Sequence, residues 1–103
     1  MQMRESLDLG VTGDRIRELR DERGMSQRFL AERVGVSKGY IALFESGRRP
    51  PSAEVCVKVA EFFGIDADEL LALRFIETGH LPGSAALTVD RAREIIRRLR
   101  EED

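Results

Sequence analysis

Gln27-Arg28-Phe29-Leu30-Ala31-Glu32-Arg33-Val34-Gly35-Val36-Ser37-Lys38-Gly39-Tyr40-Ile41-Ala42-Leu43-Phe44-Glu45-Ser46-Gly47 reads as two short helices joined by a tight turn. Ser26 is suited to cap the first, because its hydroxyl can accept from the open N–H groups of the first turn. Met25 before the cap and Leu30 inside the helix have the spacing of a hydrophobic staple. Gly35 then stops the helix, since the left-handed position after a helix favours a residue without Cβ. The pattern restarts at once: Ser37 caps a second helix, and Val36 with Ile41 repeats the staple. Leu30, Ala31, Val34, Val36, Ile41 and Phe44 form the apolar set of the pair, with Ala31 small where the helices must cross closely.

Two helices crossing steeply through a glycine-containing turn make a helix-turn-helix, whose second helix enters the major groove of DNA. The stretch resembles the helix-turn-helix of the lambda-repressor-like (Cro/Xre) family of transcriptional regulators. Gln27, Leu30-Ala31, Gly35-Val36-Ser37, Ile41 and the exit Phe44-Glu45-Ser46-Gly47-Arg48-Arg49-Pro50 carry the resemblance. It continues through Pro51-Ser52, Ala60, Gly64-Ile65 and Asp68-Glu69-Leu70-Leu71, so that about 60 residues from Thr12 to Leu73 are covered. The resemblance implies an all-α fold: a five-helix lambda-repressor-like DNA-binding domain over residues 12–73.

The flanks are read from local signals. Residues 1–11 are expected to be a flexible lead-in. Thr12 is placed to cap a first helix running to about Arg23, with Ile16 and Leu19 inward and Gly24 after it. Gly47 and the pair Pro50-Pro51 end the third helix, because proline cannot continue one. Ser52 caps a fourth helix with Val55, Cys56, Val59, Ala60 and Phe63 inward, and Gly64 closes it. Asp66 with Glu69 opens a short fifth helix, whose Leu70 and Leu71 complete the core. Residues 74–87, rich in helix breakers, are expected to be a linker. Thr88 then caps a C-terminal amphipathic helix over 88–103, with Ala92, Ile95, Ile96 and Leu99 on one stripe and arginines elsewhere. That stripe is too narrow to hold an isolated helix, so it must pack on something.

Composition narrows the function classes. The chain has 103 residues, 35% of them charged, and a net charge of −2. Residues 11–51 nevertheless carry nine Arg and Lys against six Asp and Glu, so the basic excess falls on the helix-turn-helix half. No apolar run approaches the roughly 20 residues of a membrane span. The first ten residues include Arg4, Glu5 and Asp8 and hold no apolar signal-peptide core. A lone cysteine, Cys56, and a lone histidine, His80, provide neither an internal disulfide nor the side chains of a zinc site. The cytoplasm is the expected compartment and no cofactor is expected. No nucleophile–base, metal or phosphate-loop constellation suggests an enzyme.

The family resemblance assigns roles by position. Ser37, Lys38, Gly39, Ala42 and Leu43 face base edges. Lys38 can donate to guanine O6 and N7, while Gly39 permits close approach or leaves room for a thymine methyl. Gly39 departs from relatives with Gln or Ser there, which makes direct readout sparse. Phosphate contacts are expected from Gln27, Arg28, Tyr40, Ser46, Arg48 and Arg49, with Gln27 also a candidate to brace Lys38. Tyr40 could equally serve by packing its ring, and Cys56 reads as core.

The leading expectation is a sequence-specific regulator, a repressor that binds double-stranded DNA at an inverted repeat as a homodimer. Ile95, Ile96 and Leu99 are the expected dimer contacts, against the alternative that the last helix folds back on its own domain. A second reading is a protein-binding adaptor, or an antitoxin-like regulator, whose C-terminal helix docks a toxin, a protease or a sigma factor. Lys38 with Arg48-Arg49 discriminates the two, since a pure protein binder has no need of cations there.

Overall fold

The computed structural model describes residues 10–80 and 87–101. They form α1 (Val11–Glu22), α2 (Gln27–Val34), α3 (Lys38–Glu45), α4 (Ala53–Phe63), α5 (Ala67–Thr78) and α6 (Val89–Glu101), and no strand occurs among them. The fold is all-α, as expected. α5 is the central element, packed on α1, α4 and α6, while α3 lies against α1 and α2.

The expected caps account for most helix starts. Ser26, Ser37 and Ser52 each accept from the backbone N–H three residues on, and Gly35 and Gly64 close α2 and α4 in the left-handed conformation. Thr88 Oγ1 accepts from Arg91 N–H and caps α6. The inward residues named for α1 and α4, with Leu30, Ala31, Val34, Ile41, Phe44, Leu70 and Leu71, are all buried in one cluster.

Thr12 is not the cap of α1. The helix starts earlier, with Gly10 as its N-cap residue at φ 80°. The open N–H groups of Gly10 and Thr12 donate instead to the two carboxylate oxygens of Glu77, at 2.9 and 3.0 Å. A carboxylate at a helix N-terminus also meets the favourable end of the macrodipole. The Thr12 side chain is buried, and its hydroxyl has no hydrogen-bond partner. Glu69 likewise does not complete a capping box: Asp66 alone accepts from Asp68 N–H, and Glu69 takes a 2.6 Å hydrogen bond from Arg15 Nε.

α5 is also longer than the short helix expected. Residues 74–78, read as the start of a linker, continue the helix to the C-cap at Gly79. They are held by tertiary bonds that composition does not display: Arg74 Nε donates to the Pro51 carbonyl at 2.8 Å, and Glu77 caps α1. The remainder of that segment, 81–86, and most of the lead-in, 1–9, lie outside the described residues.

α6 packs on α5 of its own chain. Ala92 and Ile95 are buried in the common core, and Ile96 and Leu99 are partly buried against it. Arg91 pins the start of α6 through Asp66 at 3.4 Å and Asp68 at 3.5 Å. Of the three residues expected at a dimer contact, Ile95 is the one buried within its own chain. Its side chain is occupied within the chain, which gives the narrow apolar stripe the support it lacks alone.

Candidate nucleic-acid interface

α3 is divided sharply by helical periodicity. Ile41, Phe44 and Glu45 point inward and are buried. Ser37, Lys38, Gly39, Leu43 and Ser46 are exposed, with Ala42 half-buried beside them. The structure thus brings Ser37, Lys38, Gly39, Ala42 and Leu43 onto one outward face, as an eight-residue helix with its apolar face turned inward must do.

Cations flank this face. Arg28 on α2 and Arg48 and Arg49 beyond α3 are exposed. Among the described residues neither they nor Lys38 enters an ion pair. The segment carrying Arg48 is fixed by backbone: its N–H donates to Leu43 O at 3.0 Å, and Gly47 turns the chain at φ 79°. Ser46, also expected at a phosphate, donates its hydroxyl proton to Leu43 O at 3.0 Å and its N–H to Ala42 O at 3.0 Å, which leaves it no donor for a phosphate in this arrangement.

Two more of the expected phosphate ligands have internal duties. Tyr40 packs its ring edge-on against Phe44, centroids 5.5 Å apart, and its hydroxyl accepts from Ser52 N–H at 2.8 Å. The oxygen is used as an acceptor, and its own proton remains available to donate. Gln27 does not brace Lys38; its Nε2 donates to Glu45 Oε1 at 2.9 Å.

Glu45 is the hub that sequence reading left without a partner. Its side chain is only 1% exposed. Arg20 of α1 grips it with both prongs, Nε to Oε2 at 2.8 Å and Nη2 to Oε1 at 2.7 Å. Arg20 also donates to Met25 O at 2.6 Å, and Arg17 donates to the Glu45 carbonyl at 2.9 Å. One carboxylate therefore joins α1, the α1–α2 turn, the first residue of α2 and the end of α3. Burial pushes the Glu45 carboxyl up, but hydrogen bonds from Arg20 and Gln27 and the charges of Arg20 and Arg17 together outweigh it and hold the group below its ordinary value. The signal was available: Glu45 follows Phe44 and lies four residues from Ile41 on the inward face, where a carboxylate needs a cation.

The backbones of α1 and α3 also meet directly. A Cβ built on Gly13 would stand 1.8 Å from the Phe44 carbonyl oxygen. Gly13 in effect sets how closely α3 approaches α1. Elsewhere, no group of three or more His, Cys, Asp or Glu able to hold a metal occurs among the described residues. No helix of these residues is long and apolar enough to cross a membrane.

The family model described as helix-turn-helix (HTH_3) matches residues 16–70, more than half of the chain, and spans α2, α3 and their supports. The chain belongs to the Cro/Xre-type helix-turn-helix family. Curated relatives of this Cro/Xre-type chain include the propionyl-CoA carboxylase regulator of Cereibacter sphaeroides, 41% identical over 58 residues, covering 56% of this chain and 13% of the relative. The HTH-type transcriptional regulator AnsR of Bacillus subtilis is 40% identical over 58 residues, 56% of this chain and 50% of the relative. The cryptic phage CTXphi transcriptional repressor RstR of Vibrio cholerae is 36% identical over 58 residues, 56% of this chain and 52% of the relative. The match thus spans about half of two of these relatives and 13% of the third. No solved structure matches at a significant level.

Proposed function

We propose that this chain is a sequence-specific DNA-binding transcriptional regulator that acts on cytoplasmic DNA, with α3 in the major groove and the α2 N-terminus against the backbone. One observation carries the reading: α3 turns an exposed outward face to solvent, with Lys38 on it and with exposed Arg28, Arg48 and Arg49, none of which enters an ion pair among the described residues. Lys38, Ser37, Gly39, Ala42 and Leu43 meet base edges. Arg28, Arg48, Arg49, the Tyr40 hydroxyl proton and the N–H groups at Gln27 meet phosphates, which set register without reading sequence. The names of the relatives, all of them regulators and one a repressor, favour the same reading.

A single small domain makes few base contacts, so useful specificity requires two half-sites. We therefore propose repression by occupancy of an inverted repeat as a homodimer. With Ile95 in the core, the outward parts of Ile96 and Leu99 are what α6 retains for a second copy. The adaptor reading is disfavoured by Lys38 and the Arg48-Arg49 pair, exposed cations that a pure protein binder has no need of. Selection from randomised duplex DNA, with the full chain and Lys38→Ala in parallel, tests the proposal. An enriched inverted repeat that is lost with Lys38→Ala supports it. Absence of any enriched sequence at low salt overturns it.

A further inference from the structure

Of the eight glycines among the described residues, six take a positive φ, and Gly13 is required by the approach of α1 to α3. Gly39 has neither reason. It sits in the first turn of α3 without a positive φ, and a Cβ built on it would meet only Ser37 Oγ at 3.9 Å, an ordinary contact. Glycine in a helix is disfavoured against alanine, so the fold would be better served by a side chain there. Nothing among the described residues requires the missing Cβ, which points to a role toward a partner.

The neighbours on that face define what it fits. Ala42 and Leu43, three and four residues on, carry no polar side-chain atom, and Leu43 is 36% exposed. Gly39, Ala42 and Leu43 therefore make an apolar notch beside the Lys38 ammonium. The major-groove edges of the base pairs present one apolar substituent, the C5-methyl of thymine. Resting on the proposal that α3 reads the major groove, we infer that Gly39 is a specificity-determining residue. The space left by its absent Cβ receives a thymine methyl of the half-site, next to the base read by Lys38.

The inference is tested by exchanging one methyl between protein and DNA. The full chain and Gly39→Ala are titrated with the selected duplex, each half-site thymine being replaced in turn by deoxyuridine, which removes the methyl and keeps every hydrogen-bonding group. At one thymine, wild type should lose about fourfold in affinity on replacement, the worth of one buried methyl. Gly39→Ala should bind the thymine duplex about tenfold more weakly, the scale of a misfitted base pair, and recover on the deoxyuridine duplex. Free Gly39→Ala should melt a few degrees higher, about 2–5 °C. Equal thymine-to-deoxyuridine ratios for both proteins at every position, or a lower melting temperature for Gly39→Ala, would overturn the inference while leaving the DNA-binding reading intact. If wild type enriches no duplex at all, the DNA-binding reading fails, and the inference falls with it.

Discussion

Glu45→Gln is the most informative single change, because it keeps the shape of the hub and removes its charge. One oxygen still accepts from Arg20 Nη2, but an amide NH2 at the other position faces the Arg20 Nε–H, donor against donor. Arg20, whose side chain is 11% exposed, is left with only the solvent-exposed Asp21 carboxylate at 3.6 Å as counter-charge. Breaking a buried, hydrogen-bonded pair from one side costs about 3–5 kcal/mol. The remaining hydrogen bonds of Arg20 to Met25 O and to the Gln oxygen place this case at the lower end, about 3 kcal/mol, against roughly 5–15 kcal/mol for a whole domain. For a domain of this size that corresponds to a fall in melting temperature of about 12–20 °C. Urea and thermal denaturation at pH 7 read it directly, and Arg20→Met alone and with Glu45→Gln completes the cycle.

The same variant carries a pH signature. The Glu45 carboxyl is held below its ordinary value of 4.5 in the folded chain. Its contribution is therefore complete above the unfolded value and is lost as pH falls through the folded one. The stability gap between wild type and Glu45→Gln should be constant from neutral pH down to about 5, then narrow as acid is added. A loss below about 1 kcal/mol at pH 7, or a gap that widens in acid, would refute the hub as described.

Three further outcomes follow from the packing. Gly13→Ala should destabilise by about 2 kcal/mol or more, since the obstructing atom is a backbone carbonyl that cannot rotate away; denaturant midpoints check this. Ile95→Ala should cost about 2–4 kcal/mol in the monomeric chain and remain destabilising at high dilution, where a purely dimeric role would show no such loss. Cys56 is buried and its thiol is pushed up to about 12 by burial, so an alkylating reagent at pH 8 should label it only under unfolding conditions; rapid labelling of the native chain would contradict its place in the core.

What the sequence displayed well was local. Serine caps, glycine stops and inward positions of α2, α3 and α4 need only a few neighbouring residues to be recognised, and each is where the spacing put it. The outward face of α3 was legible for the same reason: once Ile41 and Phe44 point in, Lys38, Gly39 and Leu43 point out. Contacts across the chain were not legible. Glu77 caps α1 from a distance of 65–67 residues, and Arg20 reaches Glu45 across 25, with no periodicity to announce either. Gln27 was expected beside Lys38 and is found on Glu45, because a buried carboxylate competes for its amide more strongly than an exposed ammonium, which itself only donates. The docking of α6 was one of two outcomes its stripe allowed, and amphipathicity alone does not tell which surface covers it.

The division of labour on the α3 face is the point on which the functional reading turns. Affinity of Lys38→Ala and of the Arg48→Ala/Arg49→Ala pair should be measured on the selected duplex and on a scrambled one across a salt series. Lys38→Ala should weaken the selected duplex by about 1–3 kcal/mol and leave the scrambled one nearly unchanged. The arginine pair should weaken both alike and reduce the salt slope by about one to two phosphate contacts. If Lys38→Ala weakens both duplexes equally, or neither, α3 does not read bases through its outward face.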